Sequence, residues 1–251
     1  MAILNLYKPM GWTPLQTMDA LRKSDRARED DVMVYAGRLD PMAEGVLVVL
    51  TNEDRYSLDE FLGKDKTYEA TILFGFRSDT YDILGIARRG EGELDHERAR
   101  VALEQLKGTH PLQFPPYSAF RIKGKPLHWW AREGRLDELE VPIKDMEVLE
   151  VRDVDVFKRG AGEVLREIEE RVDRVDGDFR QLETLESWKV LLEGKRGSLM
   201  MATVTLDVSS GTYIRSIVHS IGDELGVGAL LYNLKRNKVG EFESEDSIKV
   251  Q

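Results

Sequence analysis

The sequence of 251 residues contains no cysteine. This absence excludes disulfide scaffolds, thiolate-ligated zinc, iron–sulfur clusters and cysteine nucleophiles. Only four histidines are present, and no two of them lie four residues apart, so no histidine-based metal site is predicted. The longest apolar run, residues 46–50, is far too short to cross a bilayer, and the first residues lack the pattern of a secretion signal. We therefore expect a cytoplasmic protein without a membrane partner.

The sequence also has fewer basic than acidic side chains: 36 Lys and Arg against 46 Asp and Glu, which gives a formal charge of -10. Phosphate binding requires lysine and arginine, but one basic groove can exist on an acidic protein. The charge therefore leaves nucleic-acid binding open. Neither an internal repeat nor a low-complexity linker divides the chain. We expect a single domain, residues 1–251, which is monomeric by default.

The spacing of apolar residues predicts an α+β fold. A helix is expected to begin after Thr13, which forms a capping box with Gln16 and has Pro14 in the first helical position. Strands that alternate with helices without a repeating βαβ unit are typical of the α+β class. The other predicted elements are strands at residues 3–7, 46–51, 66–75, 148–157 and 201–209, and helices at residues 98–106 and 214–225.

Two further stretches with helical spacing lie between residues 162 and 194. Their apolar faces contain Val164, Leu165, Ile168 and Val172, and then Leu182, Leu185, Trp188 and Leu192. Asp176-Gly177-Asp178 separates the two faces and predicts a turn. We interpret residues 160–198 as a helical hairpin inserted between two strands, and we expect it to serve packing.

The densest chemical signal surrounds Asp40. This carboxylate lies between Leu39 and Pro41, in a segment bracketed by Gly37 and Gly45. Proline restricts the preceding residue to an extended conformation, which fixes the direction of the Asp40 side chain. A carboxylate held in this way can act as a nucleophile or a general base. An ordinary Asp-Pro turn between two strands fits the same pattern.

Arg215 and Tyr68 are two further candidates. Arg215 follows the first apolar position of a predicted helix, where it could pair with a carboxylate through two hydrogen bonds and keep it ionised. It could equally be a solvated surface arginine. Tyr68 lies on a predicted strand and could stack on a nucleobase, or it could be a half-buried strand residue.

Residues 114–130 combine aromatic and basic side chains. Arg121, Lys123 and Lys125 alternate with aromatic residues, a composition that suits RNA through stacking and phosphate contacts. The two adjacent tryptophans of this segment also fit a short helix that packs on the core. Both interpretations are retained.

Taken together, these stretches resemble the TruB-type tRNA pseudouridine synthases over nearly the whole chain apart from the hairpin. The stretches that carry the resemblance are Leu6-Tyr7-Lys8-Pro9 with Gly11, Ala36-Gly37-Arg38-Leu39-Asp40-Pro41 through Gly45-Val46-Leu47, Asp65-Lys66-Thr67-Tyr68-Glu69-Ala70, Ser78-Asp79-Thr80-Tyr81-Asp82 with Gly85, Pro115 through Gly124, Gly211-Thr212-Tyr213-Ile214-Arg215, and Gly226-Val227-Gly228-Ala229 leading to Leu234-Lys235-Arg236.

The resemblance implies a fold and a set of site residues. The fold is a mixed, mostly antiparallel sheet with helices around a central cleft. Asp40 matches the catalytic aspartate of the family, and Arg215 matches the arginine that pairs with it. Tyr68 matches the tyrosine that stacks on the flipped uracil. Tyr213 and Leu234 match positions that line the uridine pocket. No metal and no cofactor is implied.

The resemblance also implies RNA contacts. Lys8 matches a motif lysine near the cleft, and residues 111–143 match a thumb-like insertion that closes on RNA. In the bacterial family a histidine stands five residues before the aspartate, whereas this chain has Tyr35, which we keep as a possible RNA contact. Because few residues follow the last matching strand, we expect the C-terminal RNA-binding domain of many relatives to be absent.

The implied activity is the isomerisation of uridine 55 in the T-arm of tRNA. The base must be flipped out of the loop, and its glycosidic bond must be cleaved and rejoined through C5. The aspartate could attack the sugar, attack the base or assist a glycal route, and the sequence does not distinguish these. The alternatives are a synthase that acts on ribosomal or other RNA and an RNA-folding helper with little catalysis.

Overall fold

The structure is a computed structural model, and it describes residues 3–24, 26, 28 and 30–250. Strands and helices alternate along this part of the chain. The strands are β1 (Ile3–Lys8), β2 (Met33–Ala36), β3 (Ala43–Thr51), β4 (Lys66–Phe74), β5 (Phe76–Ser78), β6 (Ala87–Arg89), β7 (Gly108–Gln113), β8 (Arg121–Ile122), β9 (Lys125–Pro126), β10 (Ile143–Gly160), β11 (Ser198–Val208), β12 (Ala229–Val239), β13 (Phe242–Glu243) and β14 (Ile248–Lys249). The helices are α1 (Pro14–Arg22), α2 (Leu58–Leu62), α3 (His96–Glu104), α4 (Leu127–Arg132), α5 (Ala161–Asp173), α6 (Gln181–Leu192) and α7 (Ile214–Glu224), with short 3₁₀ turns at Asn52–Ser57, Leu136–Glu138 and Ser244–Asp246.

Ten of the described strands form one mixed sheet. Its order is β14-β1-β3-β12-β4-β11-β10-β7, with β2 paired to β3 and β13 paired to β12. The pairs β1–β14 and β3–β12 are parallel, and the other pairs are antiparallel. The predicted α+β class and mostly antiparallel sheet are therefore confirmed. Among the described residues, no helix is long and apolar enough to span a membrane.

The local predictions are confirmed where the periodicity is strong. Alternate residues of β11, from Ala202 to Val208, are buried, as the period of two requires. The Thr13 hydroxyl oxygen caps α1 by accepting a hydrogen bond from the Gln16 backbone N–H, and the Gln16 side-chain oxygen accepts one from the Thr13 backbone N–H. Each predicted strand lies largely within an observed one, and β10 extends well beyond its predicted ends.

The inserted hairpin (residues 160–198) consists of α5 and α6 and lies between β10 and β11. The predicted face of α5 is buried throughout. On α6 the prediction for Leu182 was wrong, because this side chain is 77% exposed. Thr184 is buried instead and donates to the Leu84 carbonyl at 3.1 Å. Trp188 is fully buried and donates to the Ile83 carbonyl at 3.0 Å, so the hairpin packs on the loop that follows β5.

The thumb-like segment (residues 111–143) leaves the sheet between the paired strands β7 and β10. It contains the β8–β9 hairpin and α4. Trp130 is buried and donates to the Ile122 carbonyl at 3.3 Å, as the packing interpretation of the tryptophans requires. The three basic residues of this hairpin, Arg121, Lys123 and Lys125, are exposed.

The parallel contact between β3 and β12 requires glycine at position 45. Gly45 has a φ of 109°, and a Cβ atom there would lie 2.2 Å from the Arg236 carbonyl oxygen on β12. Gly75 provides a matched comparison, because its φ is 82° but no atom would lie within 4 Å of an added Cβ.

We predict that Gly45→Ala destabilises the protein much more than Gly75→Ala does. The Gly75 variant should lose about 1–2 kcal/mol through its left-handed backbone alone. The Gly45 variant should lose at least about 2 kcal/mol more, since β3 and β12 must separate. Urea unfolding monitored by circular dichroism measures both values, and equal losses would contradict a steric role for Gly45.

Candidate active site

The Asp40 loop joins β2 to β3 and is fixed by backbone hydrogen bonds on both sides of the aspartate. The Gly11 amide donates to the Pro41 carbonyl at 2.8 Å, and the Ala43 amide donates to the Asp40 carbonyl at 3.0 Å. The Asp40 side chain is 29% exposed. The Asp-Pro turn is therefore real, and it presents the carboxylate at the surface of a cleft.

Arg236 supports this loop from beneath. Its side chain is 1% exposed and donates to three carbonyls, those of Val46 at 2.8 Å, Gly37 at 3.2 Å and Arg38 at 3.3 Å. The sequence analysis noted Arg236 within a motif but did not assign it to the site. Arg236 lies on β12, which pairs with β3, and this pairing brings the Arg236 guanidinium next to the Asp40 loop.

Arg215 contacts two carboxylates. Its Nη2 lies 2.8 Å from Asp40 Oδ2, and its Nε lies 3.8 Å from Asp82 Oδ2. The side chain is only 4% exposed, which excludes the surface-arginine alternative. The expectation of two hydrogen bonds to one carboxylate was wrong, because the guanidinium divides its nitrogens between the two aspartates.

Two carbonyls complete the surroundings of Arg215. Nη1 donates to the Thr80 carbonyl at 2.7 Å, and Nη2 donates to the Tyr117 carbonyl at 3.2 Å. Arg215 therefore links the loop after β5 and the thumb-like segment to the start of α7. Burial lowers the pKa of Arg215, but the Asp40 and Asp82 carboxylates outweigh it, and the net shift is upward. The guanidinium thus remains charged.

Asp82 is a site residue that sequence reasoning did not assign. Its Oδ1 accepts hydrogen bonds from the Thr80 hydroxyl at 2.7 Å and from the Leu84 amide at 2.9 Å. Burial raises the pKa of Asp82 to about 6, although Arg215 and the Thr80 hydroxyl oppose the shift. Its position in the Ser78–Asp82 stretch was the available signal.

A cavity of about 330 Å³ opens beside Asp40. It lies between the Asp40 loop, the start of α1, the loop after β5, the thumb-like segment and the inserted hairpin. Four arginines and two aspartates are among its lining residues. The residues that line it are Thr13, Pro14, Leu15, Tyr35, Arg38, Leu39, Asp40, Pro41, Thr80, Asp82, Leu84, Tyr117, His128, Arg132, Phe179, Arg180 and Arg215.

The expected site residues fall into two groups. Asp40, Arg215 and Tyr35 line the cavity. Tyr68 and Leu234 do not line it: both belong to the main core cluster and are only 8% and 6% exposed.

Tyr213 also lies outside the lining. It immediately precedes α7 and packs edge-on against Phe114, with the ring centroids 5.5 Å apart. Burial, and then the charge of Asp40, raise the pKa of Tyr213. Tyr213 therefore lies within electrostatic range of the aspartate without reaching the cavity.

Lys8 does not fit a direct RNA contact. The residue is fully buried, and its Nζ donates to the carbonyls of Pro9 at 2.9 Å and Trp12 at 2.6 Å. Burial lowers the pKa of Lys8 to about 7, against the opposing attraction of Asp40. Its observed role is to hold the turn before α1. Within the described residues, no cluster of three or more His, Asp or Glu side chains could hold a metal ion.

The chain is similar to proteins of a known family. Residues 30–173 match the model of the TruB family pseudouridylate synthase, N-terminal domain. The chain is 28% identical to tRNA pseudouridine synthase B of Aquifex aeolicus over 249 residues, covering 99% of this chain and 71% of that protein. It is 32% identical to tRNA pseudouridine synthase B of Desulfotalea psychrophila, covering 98% of this chain and 85% of that protein.

Solved structures share the fold. The archaeal box H/ACA sRNP Nop10–Cbf5 complex matches with a TM-score of 0.54 at 18% identity, over 99% of this chain and 51% of the matched chain. A Cbf5–Nop10–Gar1 complex matches with a TM-score of 0.59 at 19% identity, over 99% and 52%. The fold is thus that of the pseudouridine synthases. The chain belongs to the TruB family, and it spans about half the length of these solved chains.

We predict that Asp82 makes stability depend on pH in the acidic range. The pKa of Asp82 is about 6 in the folded protein, above its ordinary value, so the folded state binds the proton more tightly. This contribution is present at low pH and is lost as pH rises through 6. Asp82→Asn, which resembles the protonated form, should therefore gain stability relative to the wild type between pH 4 and 6.5, by at most about 1.4 kcal/mol for each pH unit. Urea unfolding across this range measures the difference, and parallel curves for the two proteins would contradict it.

Proposed function

We propose that this protein isomerises uridine to pseudouridine in RNA, and that its substrate is uridine 55 in the T-arm of tRNA. The observation that carries the proposal is the pair formed by Asp40 and the buried Arg215 at the wall of a cavity. The names of the curated relatives support tRNA as the substrate. We place the reaction in the cytoplasm and regard the protein as a monomer.

The reaction breaks the bond from C1′ of the ribose to N1 of uracil and forms a bond from C1′ to C5. A proton leaves C5 and N1 gains a proton, so no co-reactant is consumed. Asp40 Oδ2 is held by Arg215, whereas Oδ1 accepts no hydrogen bond from the described residues. This free oxygen is available to attack the sugar or the base, or to remove a proton on a glycal route. The Arg215 guanidinium, with Nη2 at 2.8 Å from Oδ2, holds the carboxylate in place for this step.

RNA must present the uridine outside its stack to reach Asp40, because a base within a folded loop is inaccessible. The cavity is large enough for a nucleobase and has both aromatic and cationic walls. We assign the thumb-like segment to RNA contact, since Arg121, Lys123 and Lys125 are exposed. In this proposal the uridine pocket is backed by three side chains of the core, which pack behind the cavity wall without lining it: Tyr68, Tyr213 and Leu234.

We predict that Asp40→Asn abolishes turnover while RNA binding changes by less than about threefold. The amide preserves the size of the side chain but removes the reactive carboxylate, a loss of at least about 10³-fold. Asp59→Asn, at an exposed position of α2, is the matched control and should retain full activity. Unmodified tRNA is incubated with each protein, and pseudouridine is mapped by carbodiimide adducts and primer extension.

Three outcomes would change the proposal. Product formed by Asp40→Asn would remove Asp40 from the chemistry. If the wild type modifies ribosomal RNA but not tRNA, the reaction stands and the substrate is wrong. Tight tRNA binding without product in either RNA would favour an RNA-folding helper.

We also predict that Tyr35 assists displacement of the base. Its ring lines the cavity, so it can stack on a disrupted loop. Tyr35→Phe should keep the activity, and Tyr35→Ala should reduce single-turnover rates on folded tRNA on the order of tenfold. The loss should be smaller on a linear oligonucleotide whose uridine is already unstacked. Equal losses on both RNAs would exclude a role in displacement.

A further inference from the structure

The loop between α5 and α6, residues 174–180, reaches across the active-site cavity. Phe179 and Arg180 belong to this loop and line the cavity wall. The sequence analysis expected the inserted hairpin to serve packing. The structure shows that its loop also lines the cavity. Its two helices are anchored in the core, and the loop that joins them contributes directly to the cavity.

Contacts on opposite sides fix the position of this loop. Asp176 Oδ2 accepts a hydrogen bond from the Gln16 side chain of α1 at 2.8 Å. Arg132, the last residue of α4 in the thumb-like segment, donates to the Asp178 carbonyl at 2.5 Å. The loop is thus tied to both α1 and the thumb-like segment, which form the neighbouring walls.

Arg180 holds the end of the loop next to the Arg215 network. Its φ is 58°, a left-handed conformation that costs a non-glycine residue about 1 kcal/mol or more. Its Nη1 lies 2.7 Å from Asp79 Oδ2, and its guanidinium lies over the Tyr117 ring, 4.5 Å from the centroid. These contacts stabilise the strained backbone. Arg215 binds the carbonyl of Tyr117 itself and that of Thr80, the residue after Asp79.

The loop contributes one aromatic and one basic side chain to the cavity wall, Phe179 and Arg180, a combination that suits RNA binding. Phe179 is half-buried and packs partly against the core, so its ring is held at the cavity wall. Four arginines line this cavity, and three of them lie close to carboxylates: Arg215 to Asp40 and Asp82, Arg180 to Asp79, and Arg132 to Asp178. No described residue pairs with the Arg38 side chain, which leaves that guanidinium available to a phosphate. An aromatic face among arginines is a typical site for a nucleobase and its phosphate.

We propose that the α5–α6 loop is part of the RNA-binding site, with the Phe179 ring stacking on a base next to the target uridine. Arg180 is a positioning residue, which fixes Phe179 through Asp79 and Tyr117. This inference rests on the proposed function, because it assumes that RNA enters the cavity. It extends that function by assigning an RNA-binding role to an insertion that lies outside the motifs of the family resemblance.

The test separates stacking from packing at position 179. Phe179→Leu keeps apolar volume against the core but lacks an aromatic face, and Phe179→Tyr keeps the face. Leu182→Ala, at an exposed position on the first turn of α6, is the matched control. The dissociation constant for a T-arm stem-loop RNA is measured by fluorescence anisotropy. Single-turnover pseudouridine formation and thermal unfolding are measured on the same proteins.

The proposal expects Phe179→Leu to bind the RNA about 5- to 100-fold more weakly, the range for loss of one stacked base. Its melting temperature should match that of Phe179→Tyr, and Phe179→Tyr and Leu182→Ala should bind as the wild type does. Wild-type affinity in Phe179→Leu overturns the proposal, and so does an equal loss in Leu182→Ala. If the wild type binds the RNA but forms no pseudouridine, the proposed function fails, and the comparison of affinities still decides the role of Phe179.

Discussion

The burial of one positive charge organises the site. An arginine side chain that is 4% exposed needs neighbouring groups that compensate its buried charge. The carboxylates of Asp40 and Asp82 balance the charge of Arg215, and its two Nη atoms donate to the carbonyls of Thr80 and Tyr117, whereas its Nε has no hydrogen-bond partner among the described residues. These partners come from the Asp40 loop, the loop after β5 and the thumb-like segment. These contacts hold the three segments around one cavity.

The sheet supplies a second, independent support for Asp40. Parallel pairing of β3 and β12 in a mostly antiparallel sheet aligns Arg236 with Gly45, so the buried Arg236 side chain reaches the carbonyls of residues 37 and 38. One arginine thus binds the carboxylate of the loop, and another binds its backbone. Reactive geometry needs such pre-organisation, because a small displacement of a reactive group lowers rates strongly. The close approach of the two strands explains why glycine stands at position 45.

How much could be predicted from the sequence depends on how local the cause is. Periodicity and capping residues act within a few positions, so the strands, α1 and the helical hairpin could be predicted. The motifs identified Asp40 and Arg215 by residue type. They did not reveal that Lys8 uses its ammonium group on the carbonyls of Pro9 and Trp12, because the motif carries no information on burial. Asp82 was missed for another reason, because its partner Arg215 is distant in sequence. Contacts of the α5–α6 loop span 160 residues to Gln16 and 46 residues to Arg132, separations at which no local pattern is informative.

The length of β10 explains how two insertions come to share one cavity. The thumb-like segment ends where β10 begins, at Ile143, and the inserted hairpin begins where β10 ends, at Gly160. The strand between these two points is 18 residues long. A straight strand of this length would hold its ends about 55 Å apart. However, β10 has register shifts between Val148 and Glu150 and between Arg152 and Asp155, and such irregularities bend a strand and increase its twist. The insertions also fold back over the sheet, and they meet where Arg132 contacts Asp178 and where Arg180 covers Tyr117. One strand therefore carries both insertions that line the cavity, although no residue of β10 itself lines it.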